Sequence, residues 1–219
     1  WQLYDYYGVP CAAYYGTKKA CEPLQLIYNY KDSHVYLVNE SLYEGDVEVS
    51  VKVYDDASAL LGEQAKTVKT SYRNNVDAFD MTAYAGKPHF IALEGKCKDG
   101  KVIADNFYCI AAERNVYDWD NFDWYITPIK KHSDLRFAFA QPQAEVAMET
   151  SYADGVYTVT LKNNSDVVSY MNILKAKDAE GNMIVPAYWS DNFFPLLPGQ
   201  TKTVTCKADV AGANIELDK

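Results

Sequence analysis

Apolar side chains at every second position constrain the fold of this chain more than any other feature. Alternate residues of a β-strand point to the same face of the sheet, so a period of two predicts strands with one buried face. Two series follow this pattern: Leu24, Leu26, Tyr28, Val35, Leu37, Val47, Val49, Val51 and Val53, then Val146, Met148, Tyr157, Val159, Leu161, Met171, Ile173, Met183, Val185, Val204 and Cys206. Turn-forming stretches such as Lys31–Ser33 and Glu44–Asp46 bound the runs. We therefore predict an all-β fold with antiparallel strands.

The length of the chain predicts two β-sandwich domains. One sandwich needs about 100 residues, and this chain has 219. Hydrophobic residues make up 48% of the chain, which is enough to form two cores. We place the first sandwich at residues 22–112 and the second at residues 142–219, with an ordered connector at 113–141.

The N-terminal residues predict one helix after a short strand. Pro10 suits a first helical turn, three alanines favour a helix and Pro23 ends it, so the helix is expected over Cys11–Cys21. The aromatic run Trp1–Tyr7 is typical of a strand.

The connector is rich in aromatic side chains, for which exposure to water is costly, so we expect these rings to be packed. They are Trp119, Phe122, Trp124, Tyr125 and Phe137. The interleaved acids Asp118, Asp120 and Asp123 favour an alternating strand with solvated carboxylates. A calcium site is the minor alternative, since the glycine and distal glutamate of an EF-hand loop are missing.

Several classes of function are excluded by composition and spacing. A net charge of −9 argues against nucleic acid, and no apolar run approaches the 18 or so residues of a membrane span. The histidines His34, His89 and His132 lie far apart, and no GxSxG motif occurs. Five cysteines show no metal-binding spacing, and most are predicted to be buried free thiols: Cys11, Cys21, Cys97, Cys109 and Cys206. We expect no metal and no cofactor.

Two Asn-X-Ser triplets match the acceptor pattern for N-glycosylation. They are Asn39-Glu40-Ser41 and Asn163-Asn164-Ser165. The pattern matters only in a secreted eukaryotic protein.

The stretch Met183–Thr205 holds the candidate binding residues. It has strand-like ends and a Pro198-Gly199 turn. The rings of Tyr188 and Trp189 could stack on sugars while Asp191 and Asn192 bind hydroxyl groups. Such rings also anchor interfaces or cores, which is the interpretation that we favour.

Two segments closely resemble family 2 glycoside hydrolases of the exo-β-D-glucosaminidase and β-mannosidase type. The run Pro186–Phe194, followed by Leu-Leu-Pro-Gly-Gln at 196–200, resembles their last immunoglobulin-like domain. The segment Ala13–Leu24 resembles the junction between the last barrel helix and the first C-terminal sandwich. The resemblance implies two immunoglobulin-like sandwiches preceded by a strand–helix remnant of a (β/α)8 barrel at residues 1–21. Cys109 departs from it, because the relatives carry Trp there.

The resemblance implies a non-catalytic C-terminal accessory region of a glycosidase that acts on β-linked glucosamine or mannose. Its partners would be the enzyme's own catalytic barrel and a carbohydrate, and its location extracellular or periplasmic. Retaining glycosidases need two carboxyl groups about 5 Å apart. The pair Asn39-Glu40 matches the family's acid/base pattern but ends a sandwich strand, so we predict no catalytic residue. The alternative is an independent carbohydrate-binding module.

The start of the chain at Trp1 suggests a piece excised from a longer protein. In an intact barrel Trp1–Tyr15 would be covered by neighbours, so here we expect it to fold back, fray or self-associate.

Overall fold

The computed structural model describes residues 2–208 and 210–218, and it confirms an all-β fold with antiparallel strand pairs. The chain divides into two compact units. The middle unit is Pro23–Ala140, and the terminal unit combines residues 2–22 with residues 141–218. The terminal unit begins with helix α1, Ala12–Ala20, which confirms the predicted helix.

The middle unit is built from two sheets and a small strand pair. Its strands are β1 (Leu24–Asn29), β2 (His34–Asn39), β3 (Gly45–Asp55), β4 (Leu60–Thr70), β5 (Asn74–Asp80), β6 (His89–Cys97), β7 (Val102–Ile110), β8 (Val116–Tyr117) and β9 (Ile129–Lys131). One sheet has the order β1-β2-β5 and the other β4-β3-β6-β7, while β8 pairs with β9. A short helix, α2 (Arg136–Phe139), follows. The alternating valines of β3 are all buried in the core, as the period of two predicts.

The terminal unit also has one four-stranded and one three-stranded sheet. Its strands are β10 (Val146–Ala153), β11 (Val156–Asn163), β12 (Ser169–Lys177), β13 (Tyr188–Trp189), β14 (Phe194–Leu196), β15 (Thr201–Lys207) and β16 (Asn214–Asp218). The sheet orders are β10-β11-β15-β13 and β14-β12-β16. The turn at Pro198-Gly199 is confirmed: the backbone NH of Gln200 donates to the Leu197 carbonyl at 3.0 Å, and Gly199 has a positive φ of 71°.

Two parts of the terminal unit differ from the sequence prediction. Met183 and Val185 form no strand, and Met183 makes only an isolated bridge with Lys177. Conversely, β14 and β16 were not predicted. Strand β14 contains Pro195, which lacks a donor NH, and it lies at a sheet edge where a proline is tolerated.

The predicted N-terminal strand is wrong within the described residues, and Trp1 lies outside them. Asp5 instead accepts hydrogen bonds from the backbone NH groups of Tyr7 and Val9, both at 2.9 Å, which closes a turn. The NH of Cys11 then donates to the carbonyl of Leu3 at 3.1 Å. Of the three outcomes expected for this segment, the structure shows the first, because the chain folds back on itself.

The expectation that the connector rings are packed is also wrong for four of the five. Trp119, Phe122, Trp124 and Tyr125 are exposed, and only Phe137 packs, with its ring centroid 5.0 Å from that of Phe90. The predicted alternating strand is replaced by a 3-10 turn, Trp119–Asn121. The side-chain amide of Asn121 donates to the carboxylate of Asp118 at 2.7 Å, which holds this turn closed.

All five cysteines are free, but most are not buried as predicted. Cys206 alone lies in a core, Cys21 is exposed just after helix α1, and the other three are half-buried. Small hydrophobic character therefore does not decide their placement.

Candidate functional site

The four candidate residues Tyr188, Trp189, Asp191 and Asn192 lie together in the terminal unit. Strand β13 pairs Tyr188 with Lys207 and Trp189 with Cys206. Adjacent strand residues point to opposite faces, so one ring is turned inward and the next outward. The side chain of Trp189 is 7% exposed and belongs to the core of the terminal unit, whereas Tyr188 is 66% exposed.

Asn192 is buried, and both ends of its side-chain amide bind backbone. Its Oδ1 accepts a hydrogen bond from the NH of Leu174 at 2.8 Å, and its Nδ2 donates to the carbonyl of Leu174 at 2.9 Å. The same Oδ1 accepts from the NH of Phe193 at 3.0 Å. Asn192 thus pairs with the backbone NH and carbonyl of Leu174 in β12, and its amide is not available to a sugar hydroxyl.

Asp191 forms an ion pair with Lys202, with Oδ2 and Nζ 2.7 Å apart. The ammonium of Lys202 also lies 4.9 Å from the centroid of the Phe194 ring. The charge of Asp191 is therefore balanced within the unit, and Tyr188 is the one candidate that presents most of its side chain to solvent.

Helix α1 closes over the inner side of this loop. The ring of Tyr15 is buried in the same core as Trp189, with its centroid 5.8 Å from that of Phe193. Lys18 donates from Nζ to the carbonyl of Ser190. Burial raises the pKa of the Tyr15 hydroxyl, and a hydrogen bond with Asn192 partly opposes that rise. The hydroxyl therefore stays protonated at neutral pH.

The buried thiol of Cys206, which pairs with Trp189 across two strands, is a poor candidate for a nucleophile. Burial alone raises the pKa of Cys206 to about 11, so its reactive thiolate form is scarce near neutral pH. Candidate chemistry in this region is limited to contacts by Tyr188.

The match to the family's catalytic pattern at Asn39-Glu40 has a structural explanation. Asn39 is fully buried, and its Nδ2 donates to the carbonyl of Tyr43 at 2.8 Å while its Oδ1 accepts from the NH of Ser41 at 2.9 Å. Glu40 points to solvent with only a long contact, 3.9 Å, to Arg73. This is a corner between two sheets.

The second Asn-X-Ser triplet forms the same corner in the terminal unit. Asn163 is fully buried, donates to the carbonyl of Val167 at 2.8 Å, and accepts from the NH of Ser165 at 3.1 Å. Each asparagine ends the second strand of its unit. Both glycosylation candidates are therefore structural corners whose amide nitrogens are occupied.

The histidines do not converge with one another on a reactive site. His34 Nδ1 lies 2.9 Å from the carboxylate of Asp77, and this hydrogen bond is the main cause that raises the pKa of His34. His89 is buried with Nδ1 2.8 Å from the carbonyl of Lys87, and desolvation lowers its pKa. Among residues 2–208 and 210–218, no group of three or more His, Cys, Asp or Glu side chains is placed to hold a metal ion. Neither helix in the described part of the chain has the length and apolar character needed to cross a membrane.

Another cluster of exposed aromatic rings lies in the middle unit, where sequence reasoning expected packed rings. We define the aromatic hairpin as residues 116–131, from β8 to β9. Its exposed rings are Tyr117, Trp119, Phe122, Trp124 and Tyr125. Aromatic residues interleaved with acids were the only sequence signal, and that signal does not distinguish a packed strand from an exposed loop.

Comparison with known proteins identifies related enzymes of much greater length. Residues 124–218 match the family described as "Exo-beta-D-glucosaminidase Ig-fold domain". The exo-β-D-glucosaminidase of Hypocrea jecorina is 29% identical over 90% of this chain and 24% of its own length, and that of Amycolatopsis orientalis is 30% identical over 97% and 22%. The chain thus spans about a quarter of the curated relatives that it matches.

Solved structures give the same assignment. The crystal structure of the exo-chitosanase of Amycolatopsis orientalis superposes with a TM-score of 0.88 at 28% identity, covering 99% of this chain and 27% of that one. A β-D-mannosidase from Dictyoglomus thermophilum superposes with a TM-score of 0.67 at 17% identity, over 99% of this chain and 24% of that one, which shows a shared fold. The predicted resemblance is confirmed.

Proposed function

We propose that the chain is a non-catalytic accessory region of an exo-β-D-glucosaminidase-type glycoside hydrolase. The proposal is supported by its similarity to the Ig-fold regions of such enzymes. The parent enzyme would act on β-linked glucosamine rather than mannose. The glucosaminidase relatives are 27% to 30% identical, whereas the mannosidase structure is 17% identical.

The state of Asn39 carries the non-catalytic part of this proposal. An acid/base glutamate must sit in a site that holds the sugar, with a second carboxyl group about 5 Å away. Here Asn39, the residue before Glu40, is buried at the corner between two sheets and bonds to backbone, and Glu40 is exposed to solvent.

Residues 1–21 are the end of the catalytic barrel in this proposal, residues 22–112 and 142–219 are the two sandwich domains, and 113–141 is the connector. The partner would be the barrel of the intact enzyme. Exposed aromatic side chains support such a contact, since an apolar surface of this kind is costly in water. Tyr6 and Tyr7 are exposed rings within the proposed barrel segment. We propose Tyr188 as a further contact with the barrel. The buried Trp189, which shares a core with Tyr15, is proposed as an anchor of this contact.

Hydrolysis assays test the proposal directly. The isolated chain should release no product from an aryl β-glucosaminide or an aryl β-mannoside. Glu40→Gln serves as the decisive variant. Turnover by the isolated chain that this change abolishes would overturn the non-catalytic assignment.

A further inference from the structure

The aromatic hairpin presents its rings to solvent on a very short stretch of chain. Trp124 is 81% exposed and Trp119 is 67% exposed. Tryptophan is usually well buried, because its large apolar surface is costly to leave in water. Exposed rings concentrated in one hairpin mark a contact surface rather than a random surface.

The tip of the hairpin holds Trp124 in a strained conformation. Asp123 and Ile126 exchange two backbone hydrogen bonds, at 3.1 and 2.6 Å, so Trp124 and Tyr125 form a two-residue turn. Trp124 has a φ of 40°, in the left-handed region that bulky residues rarely adopt. Glycine or asparagine would relieve this strain. The turn therefore carries an indole at a position where local stability favours a smaller residue, which points to a use for the ring itself.

The rings form two groups. The centroids of Tyr117 and Trp119 lie 5.6 Å apart, and those of Trp119 and Phe122 lie 6.4 Å apart. At the tip, the rings of Trp124 and Tyr125 are perpendicular, with centroids 4.5 Å apart. Two groups of rings on one hairpin suit a ligand with repeated flat faces.

The carboxylates of Asp118, Asp120 and Asp123 lie between the rings and outnumber the two ammonium groups of the hairpin, of which that of Lys131 pairs with Glu113. Lys130 contacts Asp118 at 3.0 Å and Asp120 at 3.2 Å. Hydrogen bonds from Asn121 and Lys130 lower the pKa of Asp118, so it is ionised at neutral pH. The side chain of Asp120 is 89% exposed, and Asp123 is exposed near the tip. The hairpin tip is therefore aromatic and negatively charged.

We propose that the aromatic hairpin binds a cationic amino-sugar oligomer. The apolar faces of the pyranose rings would stack on Trp119 and Trp124, and the ammonium groups would contact the carboxylates of Asp120 and Asp123 and the ring faces. The choice of β-linked glucosamine as the sugar rests on the proposed function. In Tyr188–Asn192, by comparison, the side chains of Trp189, Asp191 and Asn192 are occupied by contacts within the terminal unit.

The test is calorimetric titration of the full 219-residue chain with a fully deacetylated β-1,4-glucosamine tetramer. The matched ligand is the N-acetylated tetramer, which has the same rings without the positive charge. We expect binding of the cationic tetramer to weaken about tenfold in Trp124→Ala and in Trp119→Ala. Tyr72→Ala, which removes an exposed ring of the middle unit outside the hairpin, is the control and should bind as the unsubstituted chain does.

A second pair of variants tests the charge. Asp120→Asn and Asp123→Asn should each weaken binding of the cationic tetramer by a few-fold. The affinity of the unsubstituted chain for this tetramer should fall as salt is added. Circular dichroism of each variant keeps a folding defect separate from a binding defect. Trp124→Gly, which relieves the strain while deleting the ring, should melt no lower than the parent and still lose binding.

Several results would overturn the proposal. They are the absence of binding at millimolar tetramer, equal binding of the acetylated tetramer, and binding that Trp119→Ala and Trp124→Ala leave unchanged. A hairpin that instead packs on the rest of the parent enzyme would give no binding but a lower melting temperature of the full-length Trp124→Ala enzyme. Hydrolysis by the isolated chain would refute the proposed function without touching the binding result, so the two failures are distinguishable.

Discussion

The side-chain amide of Asn192 pairs with both backbone polar groups of Leu174, accepting from its NH at 2.8 Å and donating to its carbonyl at 2.9 Å. One side chain thus replaces a neighbouring strand for this residue of β12. The arrangement gives Asn192 a role in stability that its position in an aromatic, acidic loop does not suggest.

Asn192→Ala should lower the free energy of unfolding by about 1 to 3 kcal/mol for each buried backbone group left without a partner. Urea unfolding of the chain measures this change. Asn164→Ala is the matched control, because that side chain is exposed, and it should alter stability by less than about 0.5 kcal/mol. Equal effects of the two substitutions would contradict the structural role of Asn192.

Trp189→Ala should destabilise the chain by about 3 to 5 kcal/mol, as expected when a buried tryptophan is truncated. Tyr188→Ala should cost far less, because the adjacent ring is mostly exposed. Chemical denaturation of the two variants provides the comparison. An unchanged midpoint for Trp189→Ala would mean that the ring does not contribute to the core.

The two Asn-X-Ser corners should carry no glycan in folded protein. The amide nitrogens of Asn39 and Asn163 are buried and donate to backbone carbonyl groups, so a sugar attached there would remove these bonds. Chain secreted from a eukaryotic host and then purified as folded monomer should have its unmodified mass. A glycan found on either asparagine in protein with the parent's melting temperature would refute this prediction.

Two histidines should make the free energy of unfolding depend on pH, one above and one below about pH 6.5, the ordinary histidine pKa. Asp77 raises the pKa of folded His34, so its stabilising effect is complete below 6.5 and is lost as the pH rises through the folded value. Burial lowers the pKa of folded His89, so stability falls as the pH drops from 6.5 through its folded value.

The measurement is the unfolding free energy from pH 5 to pH 8 in the parent and in two variants. Asp77→Asn should flatten the decline above about 6.5, and His89→Gln should flatten the decline below it. An Asp77→Asn profile parallel to that of the parent would show that the His34–Asp77 contact does not act on stability.

Local sequence pattern predicted the regular elements but not the polar contacts. The alternation from Val47 to Val53 gave the buried face of β3, and proline and alanine placement gave helix α1, because both signals depend on neighbouring residues alone. Hydropathy could not place Pro195 in a strand, since only the position of β14 at a sheet edge makes a proline acceptable there.

The candidate site was harder to predict for a related reason. Asn192 and Trp189 have the composition of a sugar-binding loop. However, Asn192 bonds to Leu174, and Trp189 shares its core with Tyr15, and both of these residues are distant in sequence. The rings of Trp119 and Trp124 were expected inside because burial is the average outcome for tryptophan. The outward position of Trp124 depends on its positive φ of 40°, which the sequence does not predict.

The burial of Tyr15 in the core of the terminal unit has a consequence for vectorial synthesis on the ribosome. Helix α1 leaves the ribosome before Pro23–Ala140, while its partners Phe193 and Ser190 follow that whole segment. At about 5 to 20 residues per second, roughly 10 to 35 s separate the two halves of this core. During that interval the ring of Tyr15 lacks its native cover, and the middle unit can fold first.

A fragment limited to residues 141–219 should consequently have an incomplete core and a low melting temperature. It lacks the ring of Tyr15 and the ammonium of Lys18, and a synthetic peptide of residues 1–22 added in trans should raise its melting temperature. A Tyr15→Ala peptide should fail to do so. Helix α1 is thus synthesised first and completes the core of the terminal unit only when the last strands have been made.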